Sequence, residues 1–266
     1  MGKRYVVAVD CEGVACVVGE PFTNLNGSNG YGFACRQATL EADAAARALF
    51  DNGAEEVVIC DNHGRCVNLC YDLLDPRCKI LLGTGYRSRF PLPEGKWDGL
   101  LFIGYHGREG TVDGVMAHTY NSGSFQEYRV NGLPRGEMEI DGAFAGKRGV
   151  PILFAASDDK AVAQAKERFP WIETVTTKEA GAWNFALSLH PKAAIDAIYK
   201  GVCAALAREQ EMQCFTLEEP VTLALRFRRT DEAAHANLYD RDRKPVSRPD
   251  AYTREGVLNS IEDLFN

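Results

Sequence analysis

The feature that most constrains this chain is a repeated alternation of short β-branched apolar runs with stretches of helical periodicity. That pattern belongs to a parallel sheet covered by helices. Residues 5–10 (YVVAVD), 57–60, 79–82, 100–105 (LLFIGY) and 152–156 read as strands. Residues 40–50 and 160–168 read as helices, the second capped by Asp158, whose carboxylate can accept from the first free amides. Residues 106–136 break the alternation. Within them, Tyr128 and Val130 precede Asn131-Gly132, a pair that tolerates the positive φ of a tight hairpin turn. Beyond about residue 175 the texture changes to an Ala-rich helix over 192–211, a strand over Val221–Phe227 and a closing helix over 254–265. The expected fold is α/β: a three-layer parallel-sheet core over residues 1–175 with a smaller α+β C-terminal subdomain over 176–266. The alternative reading is one continuous domain.

Charge and cysteine usage narrow the function classes. A chain of 266 residues with 45% hydrophobic residues can bury a sizeable core, while a net charge of −7 argues against a nucleic-acid binder. The local basic runs, Arg226 to Arg229 and Arg241 to Lys244, read as solvated faces. The opening MGKRYVVAVD runs straight into a strand pattern, with no basic region followed by an apolar stretch and a small-residue cleavage site, and no uninterrupted apolar run approaches the roughly 18 residues of a spanning helix. The nine cysteines are odd in number and form no CxxC pair, which fits reduced thiols. A cytoplasmic protein without membrane partners is the expectation.

The candidate chemistry lies where the strands stop. The first ends in Asp10-Cys11-Glu12-Gly13, the second in Asp61-Asn62-His63-Gly64, and LLFIGY runs into His106-Gly107. Ligands of open parallel sheets bind at the carboxyl ends of the strands, so two of the five histidines and a carboxylate pair converge on one mouth. Imidazole and carboxylate without thiolate suit zinc or another first-row divalent ion in a catalytic setting. An Asp-x-Glu pair can both bridge and terminate a two-metal centre. There is no GxSxG elbow for a serine nucleophile, and the glycines at 27, 30 and 32 lack dinucleotide-binding spacing. Asp61 is placed either to orient His63 or to close a turn. Glu137 reads as a first-turn acid of a helix, and Glu139 should point away from it. His118 lies in the irregular 106–136 connection, where catalytic groups often sit. His190 and His235 read as structural.

Taken in order, AVDCEG, CDNHG, FIGYHG, VMAHTY and NGLPRGE, followed by VPILFAASDDKA, resemble the zinc-dependent D-aminopeptidases of the DppA type, first described as dipeptide transport proteins. The match runs from about residue 4 to residue 160 and continues loosely in LHPKAA and AAHANLY. The resemblance implies metal ligation by Asp10, Glu12, His63, His106 and Glu137, with Asp10 bridging two zinc ions per chain. It implies His118 as the catalytic histidine, and a homo-oligomer, a decamer around a channel. The implied activity is removal of the N-terminal residue, a D-amino acid such as D-alanine, from small peptides. Two readings stay open beside it: a peptide-binding module for dipeptide uptake with structural metal, and a metallo-amidase or phosphatase acting on another small molecule.

Overall fold

A computed structural model describes residues 2–85 and 95–265. Its main sheet is formed by β1 (Lys3–Val9), β2 (Ala54–Asp61), β3 (Lys79–Leu81), β4 (Gly99–Ile103), β7 (Ile152–Asp158), β8 (Glu173–Ala182) and β9 (Phe185–Ser188), in the order β3-β2-β1-β4-β7-β8-β9. All neighbours are parallel except the β8–β9 hairpin. A smaller antiparallel sheet has the order β11-β10-β5-β6, with β5 (Phe125–Val130), β6 (Leu133–Pro134), β10 (Val221–Phe227) and β11 (Thr253–Leu258). The helices are α1 (Tyr31–Asp51), α2 (Glu137–Lys147), α3 (Asp159–Arg168), α4 (Pro191–Ala207) and the short α5 (Thr230–His235).

The inner strands are buried on both faces, as parallel strands under helices must be. Along β1, Tyr5, Val7 and Val9 pack into a core with α1 and α4 through Ala38, Ala42, Leu49, Ile198 and Val202. Val6 and Ala8 face the opposite core, which contains Ile140 and Phe144 of α2 and the inner face of the small sheet at Val130, Leu223 and Leu225. Period-two alternation thus assigns successive residues to two different layers. The small-residue face of α1 lets it lie close against both the sheet and α4.

Local signals landed where their chemistry required. Asp158 caps α3 by accepting from the amides of Lys160 and Ala161, both at 2.9 Å. Asn131 and Gly132 adopt φ of +52° and +75° and join β5 to β6. His190 caps α4, its Nδ1 accepting from the Lys192 amide at 3.2 Å. The expected closing helix over 254–265 is corrected: residues 253–258 form β11, paired antiparallel with β10, and only Ile261–Phe265 turns, as a 3₁₀ helix. β10 would otherwise leave a row of main-chain donors and acceptors unmet on that side, and β11 meets them. The long helix expected over 192–211 ends at Ala207 and gives way to a 3₁₀ turn over Glu209–Glu211. Residue 175 falls inside β8, and the small sheet draws β5 and β6 from before that point and β10 and β11 from after it.

Candidate metal centre

The sheet order places β2, β1 and β4 side by side, so the residues following each strand share one end of the molecule. Main-chain bonds hold these strand exits in register: Asp10 N–H donates to Ile103 O at 2.8 Å, Asn62 N–H to Val9 O at 2.9 Å, and Gly13 N–H to Gly104 O at 2.7 Å. Asp10, Glu12, His63, His106 and Glu137 are all buried. Glu137 arrives from a different direction, as the first residue of α2, which Gly136 introduces in an extended conformation.

The side chains form two adjoining groups that share Asp10. His63 Nδ1 lies 2.9 Å from Asp10 Oδ1 and 3.1 Å from Glu12 Oε2. On the other side, His106 Nε2 lies 3.6 Å from Asp10 Oδ2 and 3.3 Å from Glu137 Oε1. Asp10 therefore turns one oxygen to each group. The His118 ring stacks on His106 with centroids 3.9 Å apart, and its Nε2 is 3.7 Å from Glu137 Oε1. Metal-sized groupings of donor atoms are Asp10–Glu12–His63 and His106–His118–Glu137.

The His106 and His118 rings are each oriented from behind by a main-chain carbonyl. His106 Nδ1 faces Gly107 O at 3.0 Å and His118 Nδ1 faces Met116 O at 2.8 Å. An N–H donated to each carbonyl leaves both Nε2 atoms as electron-pair donors toward the site. Glu137 Oε1 also accepts from the Tyr120 amide at 2.8 Å. Asp113, Met116 and Tyr120, on either side of His118, have φ of +56°, +47° and +59°. Non-glycine residues rarely hold this backbone, and it clusters at functional sites.

The electrostatics identify what the site attracts. Burial, then the adjacent Glu12 charge, push the Asp10 carboxyl up to about 7 against the pull of His63 and His106. Burial also disfavours the Glu12 anion, but His63, His106 and His118 outweigh it and hold Glu12 well below the carboxylate range. Burial depresses His63 and His106, yet Glu12 and Asp10 drive His63 up to about 12 and Glu137 leads in raising His106 to about 10. Among the described residues Asp10 and Glu12 form no ion pair with Lys or Arg. Buried carboxylates that force neighbouring imidazoles to carry the positive charge form a cation-seeking site, and the oxygen and nitrogen donor set suits zinc. His118 behaves differently: burial and the His106 ring lower its pKa, which favours a neutral ring near pH 7.

A cleft of about 450 Å³ opens over these groups, lined also by Asn24, Leu25, Asn26, Met116, Asn121 and Trp183. Sequence reasoning missed Asn26, whose Oδ1 is 2.5 Å from His63 Nε2. It sits in the glycine-rich stretch around residues 27–32, and no spacing rule marks it. Asp61 takes the turn-closing role: it accepts from the amides of Asn68 and Leu69 and from Tyr71 Oη, and makes no bond to His63. Glu139 turns away from the centre to Arg135 at 2.6 Å and Arg168 at 3.5 Å. His235 is exposed, its Nδ1 against Asp231 O.

Comparison with known proteins supplies the family. The D-aminopeptidase model of peptidase family M55 matches residues 4–265. The D-aminopeptidase of Bacillus subtilis (strain 168) is 29% identical over 238 residues, which cover 88% of this chain and 85% of that protein. Among solved structures, the Zn-dependent D-aminopeptidase DppA from Bacillus subtilis, described as a self-compartmentalizing protease, superposes with a TM-score of 0.87 at 25% identity. That alignment covers 99% of this chain and 94% of the other. Nearly the whole chain is matched, including the C-terminal third that the motifs reached only loosely, and the chain therefore belongs to the D-aminopeptidase family M55 of the peptidases.

Proposed function

We propose that this protein removes the amino-terminal residue from small peptides, with preference for a D-residue such as D-alanine, and that it does so with two zinc ions. The observation that carries the proposal is the division of Asp10 between two buried donor groups, one oxygen facing His63 and the other facing His106. A carboxylate placed this way would be a ligand common to both ions. Glu12 and His63 would hold one ion, and His106 and Glu137 the other. When bound, two such ions supply Lewis acidity, polarising a carbonyl and acidifying water near neutral pH.

The chain's own residues do the rest. His118 holds its Nδ1 proton on Met116 O and presents Nε2 to the cleft, so a proton can be taken up or released at Nε2. Its depressed pKa keeps that nitrogen available as a base. Asn24, Asn26 and Asn121, whose side-chain oxygens are engaged within the chain, line the cleft with uncharged amide donors for a peptide backbone, while Leu25, Met116 and Trp183 give it an apolar side. The zinc dependence of DppA and its activity class support the reading.

The test is a panel of D- and L-aminoacyl anilides and dipeptides run on zinc-loaded protein, with elemental analysis of the same preparation. About two equivalents of zinc per chain, loss of turnover on chelation and faster release of D-residues are expected. Active protein holding one ion or none would sink the two-zinc reading, and faster release of L-residues would sink the stereochemical one. The self-compartmentalizing description of DppA supports assembly of this chain into a homo-oligomer, a decamer whose interior admits only short peptides. Multi-angle light scattering should return about ten chain masses; a monomer or dimer would remove that claim without touching the chemistry.

A further inference from the structure

Lys178 lies on β8, 166 residues from Glu12 in sequence, and is 1% exposed. Its ammonium donates to three main-chain carbonyls of one short loop: Glu12 at 2.5 Å, Val14 at 2.8 Å and Val17 at 2.6 Å. An ammonium has three N–H donors, so none is left for a substrate. The same loop is gripped elsewhere by side chains. Thr177 Oγ1 donates to Gly13 O at 2.7 Å, Glu41 Oε1 accepts from the Ala15 amide at 2.9 Å, and Ser188 Oγ accepts from the Cys16 amide at 2.7 Å. Residues 12–17 form no helix or strand, so their polar main-chain groups need partners from outside. Lys178 supplies most of those for the carbonyls, and an amine this deeply buried is kept only where its bonds are fully met.

The metal donors depend on this loop to different degrees. Glu12 is part of it. Asp10 is tied into the sheet through Ile103 O, His106 is braced by Gly107 O, and Glu137 by the Tyr120 amide. None of those three bonds involves Lys178. We propose that Lys178 is a positioning residue for the metal centre, fixing the main chain of Glu12 so that its carboxylate meets His63. Loss of Lys178 then weakens the Glu12–His63 position selectively and leaves the His106–Glu137 position intact. The inference rests on the two-ion reading above.

The experiment strips metal from the folded protein with chelator and titrates it with Zn²⁺ against a chromophoric competitor, following Co²⁺ absorption in parallel. Wild type, Lys178→Met, Thr177→Val and Val202→Ala are compared. The last opens a cavity under α4 and serves as a stability control remote from the loop. Wild type should bind two ions. Lys178→Met should bind one with wild-type affinity and the second roughly ten- to a hundredfold more weakly, the range seen when the support of a ligand is removed. Val202→Ala should retain both affinities despite a lower Tm. If Lys178→Met does not fold, Thr177→Val carries the test, with a smaller loss at the same position. Equal weakening of both ions, or of neither, overturns the proposal. Wild type binding a single ion overturns the two-ion reading instead. In that case an unchanged affinity in Lys178→Met rejects the positioning role, and a weakened one supports it.

Discussion

His118 touches the His106–Glu137 group of the proposed centre, and its amide donates to Gly107 O at 3.2 Å, one residue past His106. Its ring stacks on His106, its Nε2 is 3.7 Å from Glu137, and its backbone sits between two residues of positive φ. A proton-transfer role and a ligand role predict different mutants. For proton transfer, His118→Ala should keep its zinc and fold while turnover falls roughly a hundredfold to ten-thousandfold. KM should move far less, since such a group acts mainly on the transition state. Zinc content and kcat are to be read on one preparation: a lost ion would make His118 a ligand, and near-normal kcat a bystander. Asp10→Ala should lose the most metal. Glu139→Ala should retain its metal but lose about 3 kcal/mol of stability, because Arg135 is left buried without its partner. At this scale the sequence was legible where a polar residue ended an apolar run, as at Asp10, His63 and His106. It was silent for Asn26 and Lys178, whose partners are brought by the fold from 37 and 166 positions away.

The turn after β1 shows how an element sets a site. Gly13 lies where a Cβ would overlap the carbonyl oxygen of Tyr105 and come within 2.5 Å of Ser157 Oγ, beside the main chain of Gly104. The exits of β1, β4 and β7 are pressed together there, and only a residue without a side chain permits it. Gly13→Ala should force those strand ends apart, lowering stability by roughly 1–3 kcal/mol, the usual cost of overpacking. Because Glu12 precedes it, zinc content should fall as well. Gly32→Ala is the control: nothing lies within 4 Å of its would-be Cβ and it sits in the first turn of α1, so it should be neutral or slightly stabilising. Calorimetry with elemental analysis distinguishes the two, and a Gly13→Ala protein with normal Tm and full metal would refute the crowding argument. Elements with local chemistry, such as the Asn131-Gly132 turn and the Asp158 cap, were readable in sequence. The segment over 254–265 was not, because its apolar residues do not distinguish a short edge strand from a helix, and only the open side of β10 decides the matter.

At the scale of the molecule, contacts between distant parts of the chain govern stability. α4 closes the core that α1 begins, and the small sheet is completed only when β10 and β11 return to the hairpin of β5 and β6. The broad α/β reading followed from the alternation of the first half, but nothing local in residues 125–134 announces pairing with residues 221–227. Glu41 records the cost of one such closure. It lies on the buried face of α1, accepts from Gln37 and from the Ala15 amide, and lies within the field of Lys178. Burial raises its carboxyl to about 7, and those three partners pull it down only in part. Unfolded, it titrates near the ordinary glutamate value of about 4.3. Below that pH the group is protonated in both states and its contribution to stability is fully present. As pH rises toward 7 the unfolded chain releases the proton while the folded chain holds it, so stability falls, and the loss is complete once the folded carboxyl has ionised. Glu41→Gln keeps an acceptor oxygen for Ala15 and removes the ionisation. Measured with chelator present so that metal binding does not intrude, wild type should lose on the order of 1–3 kcal/mol more than Glu41→Gln between pH 4.5 and 8. The variant should therefore be the more stable protein at pH 8, by a margin that the lost attraction to Lys178 reduces. Parallel denaturation curves for the two proteins across that interval would show that Glu41 is ionised in the folded state throughout, held as the partner of Lys178.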